Sequence, residues 1–207
     1  MSTSLPSRPT RGRPRDPGLE DRVYDAAMSL YAQGGWAALA FEAIARESGV
    51  GKSSLYRRWS SRDELLRAAL EARWLPVDTI DTGTLRGDLR ELAEMIFNNR
   101  TGKLANLEYW FLIDAAHYPE VRKVTTPYMQ ETVLEARSIA RRAIRRGESP
   151  RSLDAGLLMD LLVGAVNNHV MTTPRRLRAE MIRKAPVFLD RLVEVVLRGV
   201  GAGNSTG

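Results

Sequence analysis

Residues 39–66 read LAFEAIARESGVGKSSLYRRWSSRDELL, and that order of residues leaves little freedom in how the chain folds around it. Phe41, Ile44 and Ala45 recur at helical spacing, which predicts a short helix over 41–48 with one buried face. Gly49 stands where that helix must end and the chain must turn, a position that favours positive φ. Val50 anchors the turn, and Leu55 with Trp59 forms the buried edge of a second short helix. Ala45 is small enough to let the two helices approach. A third helix is announced by Ser61-Arg62-Asp63-Glu64, a capping box. Two short helices at a tight turn, backed by a third, form a helix-turn-helix, whose second helix fits the DNA major groove.

The residues on that second helix agree with this reading. Between Ser48 and Arg62 there are four basic side chains, Lys52, Arg57, Arg58 and Arg62, and no acidic one. Lys52, Ser53, Ser54 and Tyr56 open the helix with hydrogen-bonding groups of modest bulk, suited to phosphate oxygens and base edges. The other reading of these arginines is an ordinary solvated face on a helical hairpin.

The run from Ile44 to Leu66 resembles the DNA-binding signature of TetR-family transcriptional regulators. It has the glycine, the aliphatic residue after it, the lysine, the Leu-Tyr pair and the aromatic residue ahead of a polar N-cap, in that order. The helix expected over 17–33 completes a three-helix head of the same kind. One departure stands out. The family usually has a hydroxyl residue near the start of the first motif helix, contacting phosphate, where this chain has Leu39 and Ala40. The resemblance implies a double-stranded DNA operator as partner, a phosphate contact from Tyr56, and a phosphate or base contact from Arg57. It further implies a homodimer, a small-molecule effector of unknown identity, and repression of transcription from a near-palindromic site.

Composition sets wider limits. The 207 residues suffice for a sizeable core, and the net charge of +6 favours a polyanionic partner. The absence of cysteine excludes disulfides, zinc–thiolate sites and cysteine nucleophiles. No apolar run approaches a membrane span and no apolar signal region opens the chain, so no membrane partner and a cytoplasmic location are expected. Residues 1–15 are rich in Ser, Pro and Arg, and form an expected flexible arm. Gly12-Arg13-Pro14-Arg15 resembles the core of an AT-hook, so Arg13 and Arg15 are either minor-groove contacts or part of a solubilising tail.

Asp16-Pro17 reads as the start of the first helix, which carries Val23, Ala26, Ala27, Leu30 and Tyr31 on one stripe and ends at Gly34-Gly35. From there helical periodicity continues to the C-terminal region with no competing strand signal. The expected fold is all-α, with a head at 16–62, a connecting helix at 63–76, a helical ligand-binding and dimerisation domain at 77–200, and a disordered tail at 201–207. Val77–Thr84 reads as a linker, Pro119 and Pro127 as a break, and the arginines 137–146 as mostly outward. Leu158, Leu162, Leu192 and Val196 lie on the two widest apolar stripes, read either as a two-fold interface or as core.

An effector pocket needs apolar walls and a few polar tips. Tyr109, Trp110, Phe111, Asp114, His117, Tyr118, Asn167 and His169 are the candidates by residue type. An enzyme would need a constellation built on His117 and His169, and no metal-ligand spacing, nucleophile elbow or complete phosphate loop accompanies them, so no metal and no cofactor are expected. A DNA binder without any effector is the nearer alternative, since its head and arm would have the same sequence.

Overall fold

The computed structural model describes residues 18–200, and within them the chain is helical throughout, with nine α-helices and no strand. They are α1 Leu19–Ala38, α2 Phe41–Ser48, α3 Lys52–Arg58, α4 Arg62–Arg73, α5 Leu85–Thr101, α6 Leu107–His117, α7 Pro119–Arg146, α8 Ala155–Thr172 and α9 Arg178–Gly199. Asp16 and Pro17, the basic arm and the tail at 201–207 lie outside the described residues. None of the described helices is long and apolar enough to cross a membrane.

Local chemistry accounts for most helix ends. Gly49 closes α2 in the left-handed region (φ 69°), where a β-carbon would be strained. Ser48 ties the turn, its hydroxyl donating to the Ile44 carbonyl at 2.7 Å and accepting from the Val50 N–H. Ser61 caps α4 by accepting from the Glu64 N–H, while the Glu64 carboxylate accepts from the N–H and hydroxyl of Ser60. Thr84 caps α5 and Asp154 caps α8 in the same manner.

Two buried clusters organise the molecule. The first joins α1–α4 with Leu107 and Phe111 of α6 and with Val121 and Val124 at the start of α7. The second is built from α5, the later part of α7, α8 and α9. Packing therefore does not follow the linear division at residue 77, because α6 and the first turns of α7 complete the core of the head. Val77 and Ile80 are buried in the second cluster, so the segment expected as a linker is anchored.

Three further expectations are corrected. Gly34 and Gly35 kink α1 rather than end it, and the helix resumes through Trp36 to Ala38. Pro127 lies inside a continuous α7. The carbonyl it leaves without a donor belongs to Lys123, on an exposed face where water can take over the bond. Arg142 and Arg146 turn inward, with Arg146 3.3 Å from the fully buried Asp88 carboxylate and Arg142 donating to the Ile80 carbonyl. Asp88 also accepts from the Thr82 N–H at 2.6 Å. A carboxylate buried on α5 supplies the inward pull that helical periodicity does not encode.

Candidate nucleic-acid interface

In α2 and α3, Phe41, Ile44 and Leu55 face the head core, and Trp59 closes it beyond α3. Leu39 is fully buried beneath them, and Ala40 stands at the α2 N-cap without a capping side chain. The hydroxyl that the family resemblance places near here is absent, since the N-cap residue is Ala40 and Leu39 is buried. Tyr56 rests its ring on Phe41 at 4.5 Å between centroids while remaining about half exposed. Its position on the outer face is thus fixed by a contact to the helix behind it.

The seven polar side chains of the head expected at DNA divide into two sets. Lys52, Ser53, Tyr56 and Arg57 are exposed, and Ser54 is half-buried. Ser53, Tyr56 and Arg57 stand at i, i+3 and i+4 on one face of α3. Lys52 bridges to Glu42 of α2 at 3.0 Å, and its hydrogen bond holds the Glu42 carboxyl below the usual range. Both partners are well exposed, so a phosphate can take the lysine without opening the head. The second set is turned into the protein. Arg58 lies 3.6 Å from Glu20 of α1. Arg62 stacks its guanidinium 4.3 Å from the centre of the Trp36 ring and donates to the Trp36 carbonyl. Sequence reasoning placed all three arginines on the DNA side because charge is visible in a sequence and side-chain direction is not. Arg13 and Arg15 lie outside the described residues.

This division predicts different outcomes for neighbouring substitutions. Arg57→Ala should cost about 1–3 kcal/mol of operator affinity, with the loss concentrated at one base position if the guanidinium reads a base edge. Arg62→Ala should lower head stability by about 1 kcal/mol, the worth of a part-buried cation–π pair, with no change in base preference. Binding to a panel of operator variants separates the two. Equal loss across all sequences for Arg57→Ala would leave it a phosphate contact only.

The residues expected to line one pocket are not brought together. Phe111 and Asp114 point into the head, where Phe111 packs against Tyr31 at 4.7 Å. One oxygen of Asp114 accepts both the Tyr31 hydroxyl, at 2.8 Å, and the Trp36 N–H, at 2.7 Å. Burial foremost, then this hydrogen bond and the Asp114 charge, push the Tyr31 hydroxyl far above its ordinary pKa of 10.0. Gly35 makes room for the carboxylate: its φ is +63°, and a β-carbon there would stand 2.6 Å from Asp114 and 2.7 Å from Trp110. Tyr109 is exposed, Trp110 is half-buried beside the head, and Tyr118 lies near Trp36. Among the described residues, His117 hydrogen-bonds the Ile113 carbonyl on its own helix and no other group. His169 stacks on Phe188 at 3.8 Å between α8 and α9. Asn167 accepts from Arg100 at 2.8 Å. The two histidines therefore sit on separate elements and form no common site.

A cavity of about 210 Å³ lies elsewhere, among α4, α5, α6, α7 and α8. Trp74, Met95, Ile96, Met129, Val133 and Met159 supply apolar wall, and Arg100, Glu108, Arg137 and Asp160 supply charge. The Trp74 indole N–H donates to Thr132 at 2.6 Å, and its ring reaches Phe111 of the head core at 6.0 Å. One signal for this site was present in the sequence. Leu92, Ile96 and Arg100 stand four residues apart, placing a guanidinium on an otherwise apolar inward stripe.

Relatives agree with the fold and with the helix-turn-helix head. Residues 23–69 match the model of bacterial regulatory proteins of the tetR family, and residues 79–186 match that of the tetracyclin repressor-like C-terminal domain. The chain is 30% identical to the HTH-type transcriptional regulator AqdR of Rhodococcus erythropolis over 161 residues, covering 77% of this chain and 78% of that protein. It is 27% identical to the HTH-type transcriptional regulator YdeS of Bacillus subtilis, over 95% of this chain and 96% of that one. The crystal structure of the transcriptional regulator FadR from Bacillus subtilis, in complex with stearoyl-CoA, superposes with a TM-score of 0.66 at 17% identity, covering 87% of this chain and 98% of FadR, and shares the fold. With a helix-turn-helix head that leaves Ser53, Tyr56 and Arg57 free on one face, and with both halves matched, the chain belongs to the TetR family of DNA-binding transcriptional regulators.

Proposed function

We propose that this regulator is a homodimeric repressor that leaves a near-palindromic operator when a small molecule enters the cavity behind Trp74. The observation that carries the reading is the position of that tryptophan. It stands at the C-cap of α4, lines the cavity, and touches Phe111 in the core of the head. The other end of α4 follows α3 after only Trp59, Ser60 and Ser61. A ligand that displaces Trp74 therefore acts on a rigid lever attached to the recognition helix. It can shift the protein only by binding the DNA-free arrangement more tightly than the DNA-bound one.

In this reading residues 1–15 form an arm, 16–62 the head, 63–76 the lever and 77–200 the sensing and pairing part, with 201–207 a tail. Lys52, Ser53, Ser54, Tyr56 and Arg57 face the operator, with Arg13 and Arg15 of the arm in the adjoining minor groove. Pairing falls to the outer faces of α8 and α9, which expose Leu157, Leu161, Val187 and Val195. Leu158, Leu162 and Val196, expected at the interface from their stripes, are buried within the protomer itself, and Leu192 is packed against the same core.

The test is to select binding sites from random DNA with the purified protein, then to screen compounds by thermal shift and assay operator release. A two-fold symmetric site, with release by compounds that raise the melting temperature, is the expected result. A selected site without symmetry would refute the dimeric reading. Stabilising compounds that never alter operator affinity would make the protein a constitutive DNA binder.

A further inference from the structure

We propose that the effector is an organic anion, a carboxylate on a compact apolar body, and that Arg100 receives it. The proposal rests on the cavity behind Trp74 being the effector site. Arg100 ends the inward stripe of α5, and its side chain is only 13% exposed. Two helices hold its guanidinium in place, with Nε donating to Asn167 of α8 at 2.8 Å and Nη2 donating to Glu108 of α6. Nη1 has no acceptor among the described residues. A guanidinium cannot shed its charge in a protein, so the cavity keeps a buried, oriented cation whatever else enters it.

Glu108 neutralises that cation in the empty protein, but it is the more replaceable partner. Its side chain is 28% exposed, and its other oxygen already accepts from Asn99. A ligand carboxylate that takes the guanidinium fork exchanges one anion for another, so the charge pairing at Arg100 is preserved. The gain then comes from burying the rest of the ligand against Trp74, Ile96, Val133 and the three methionines, whose flexible thioethers adapt to different shapes. The other charged side chains of the lining, Arg137 and the exposed Asp160, are opposite in sign and leave the choice to the part-buried Arg100–Glu108 pair. A neutral apolar molecule would strip water from the Arg100–Glu108 pair and return no hydrogen bond to it.

The exchange also reaches the head. Glu108 lies in the first turn of α6, and Asp114, on the same helix, holds Tyr31 and Trp36 of α1. Releasing Glu108 from Arg100 removes a tie between α5 and the helix that grips the DNA-binding head through Leu107, Phe111 and Asp114.

The experiment titrates the full-length protein with 1-naphthoate and with octanoate, each against its carboxamide, by calorimetry and by operator release. Each carboxylate should bind about 10- to 100-fold more tightly than its carboxamide, the worth of a hydrogen-bonded ionic contact. Arg100→Met should remove that preference, lowering carboxylate affinity by more than carboxamide affinity. Glu108→Gln should tighten carboxylate binding, an effect that loss of a merely structural ion pair would not give. If Arg100→Met does not fold, the double variant with Glu108→Gln, in which neither charge is left unpaired, serves in its place. Equal binding of acid and amide, or failure of both carboxylates to bind at millimolar concentration, overturns the assignment of ligand class. The cavity reading fails separately if Val133→Trp, which fills the cavity wall, leaves operator release by an active compound unchanged.

Discussion

Asp114→Ala should lower the stability of the protein by about 2–5 kcal/mol, because it strips the acceptor from two buried donors at once. For a chain of this length that corresponds to a fall in melting temperature of roughly 5–20 °C. Asp114→Asn is the informative partner. Both bonds end on the same carboxylate oxygen, so an amide oxygen in its place can accept both and loses only the charge. It should cost about half as much or less. Because α6 and α1 meet through this group, the alanine variant should also bind operator with an affinity that no longer responds to effector. An alanine variant that melts with the parent protein would show that the carboxylate does not hold α6 to the head. The same contact gives a pH signature. The folded-state pKa of Tyr31 is raised above its ordinary 10.0, so its contribution to stability is complete below pH 10 and is lost as pH rises beyond it. Tyr24 and Tyr128 are shifted in the same direction, chiefly by burial. Tyr31→Phe should therefore reduce, without abolishing, the loss of stability in alkaline melts.

Combining Leu161→Glu with Val195→Glu should convert the protein to a folded monomer and weaken operator binding by about 100-fold or more. Both side chains are exposed on the protomer, at 44% and 67%, so charging them costs little until the faces pair. In a dimer they would bury unpaired carboxylates. The loss at the operator follows because two linked heads share one binding event, and a lone head forgoes that advantage. Leu162→Glu, one residue away from Leu161, should behave differently. Leu162 is fully buried inside the protomer, so the charge should unfold the chain rather than separate two copies. Sedimentation with circular dichroism distinguishes the outcomes. A dimer that survives the double substitution would place the interface on a face other than that of α8 and α9.

What the sequence determined by itself is the head. Its signals are local: the spacing of Phe41, Ile44 and Leu55, the left-handed turn at Gly49, and the Ser61 cap each act within a few residues, and each stands where it was read. The all-helical class was legible for the same reason, since a period of 3.6 residues needs no knowledge of neighbours. Direction and partnership were not. Arg57 and Arg58 are adjacent in the chain, yet one is exposed and the other reaches Glu20 of α1. Leu161 and Leu162 share a stripe too wide to say which faces the core. Asp114 and Phe111, chosen as pocket residues by their chemistry, belong to the seam between α6 and the head because the Gly34–Gly35 kink brings the α1 backbone against them. The cavity itself is a space left where five helices meet, and no single helix encodes it. Tertiary structure decided these points because each depends on how one helix is rotated against another, a quantity that residue spacing along one helix leaves free.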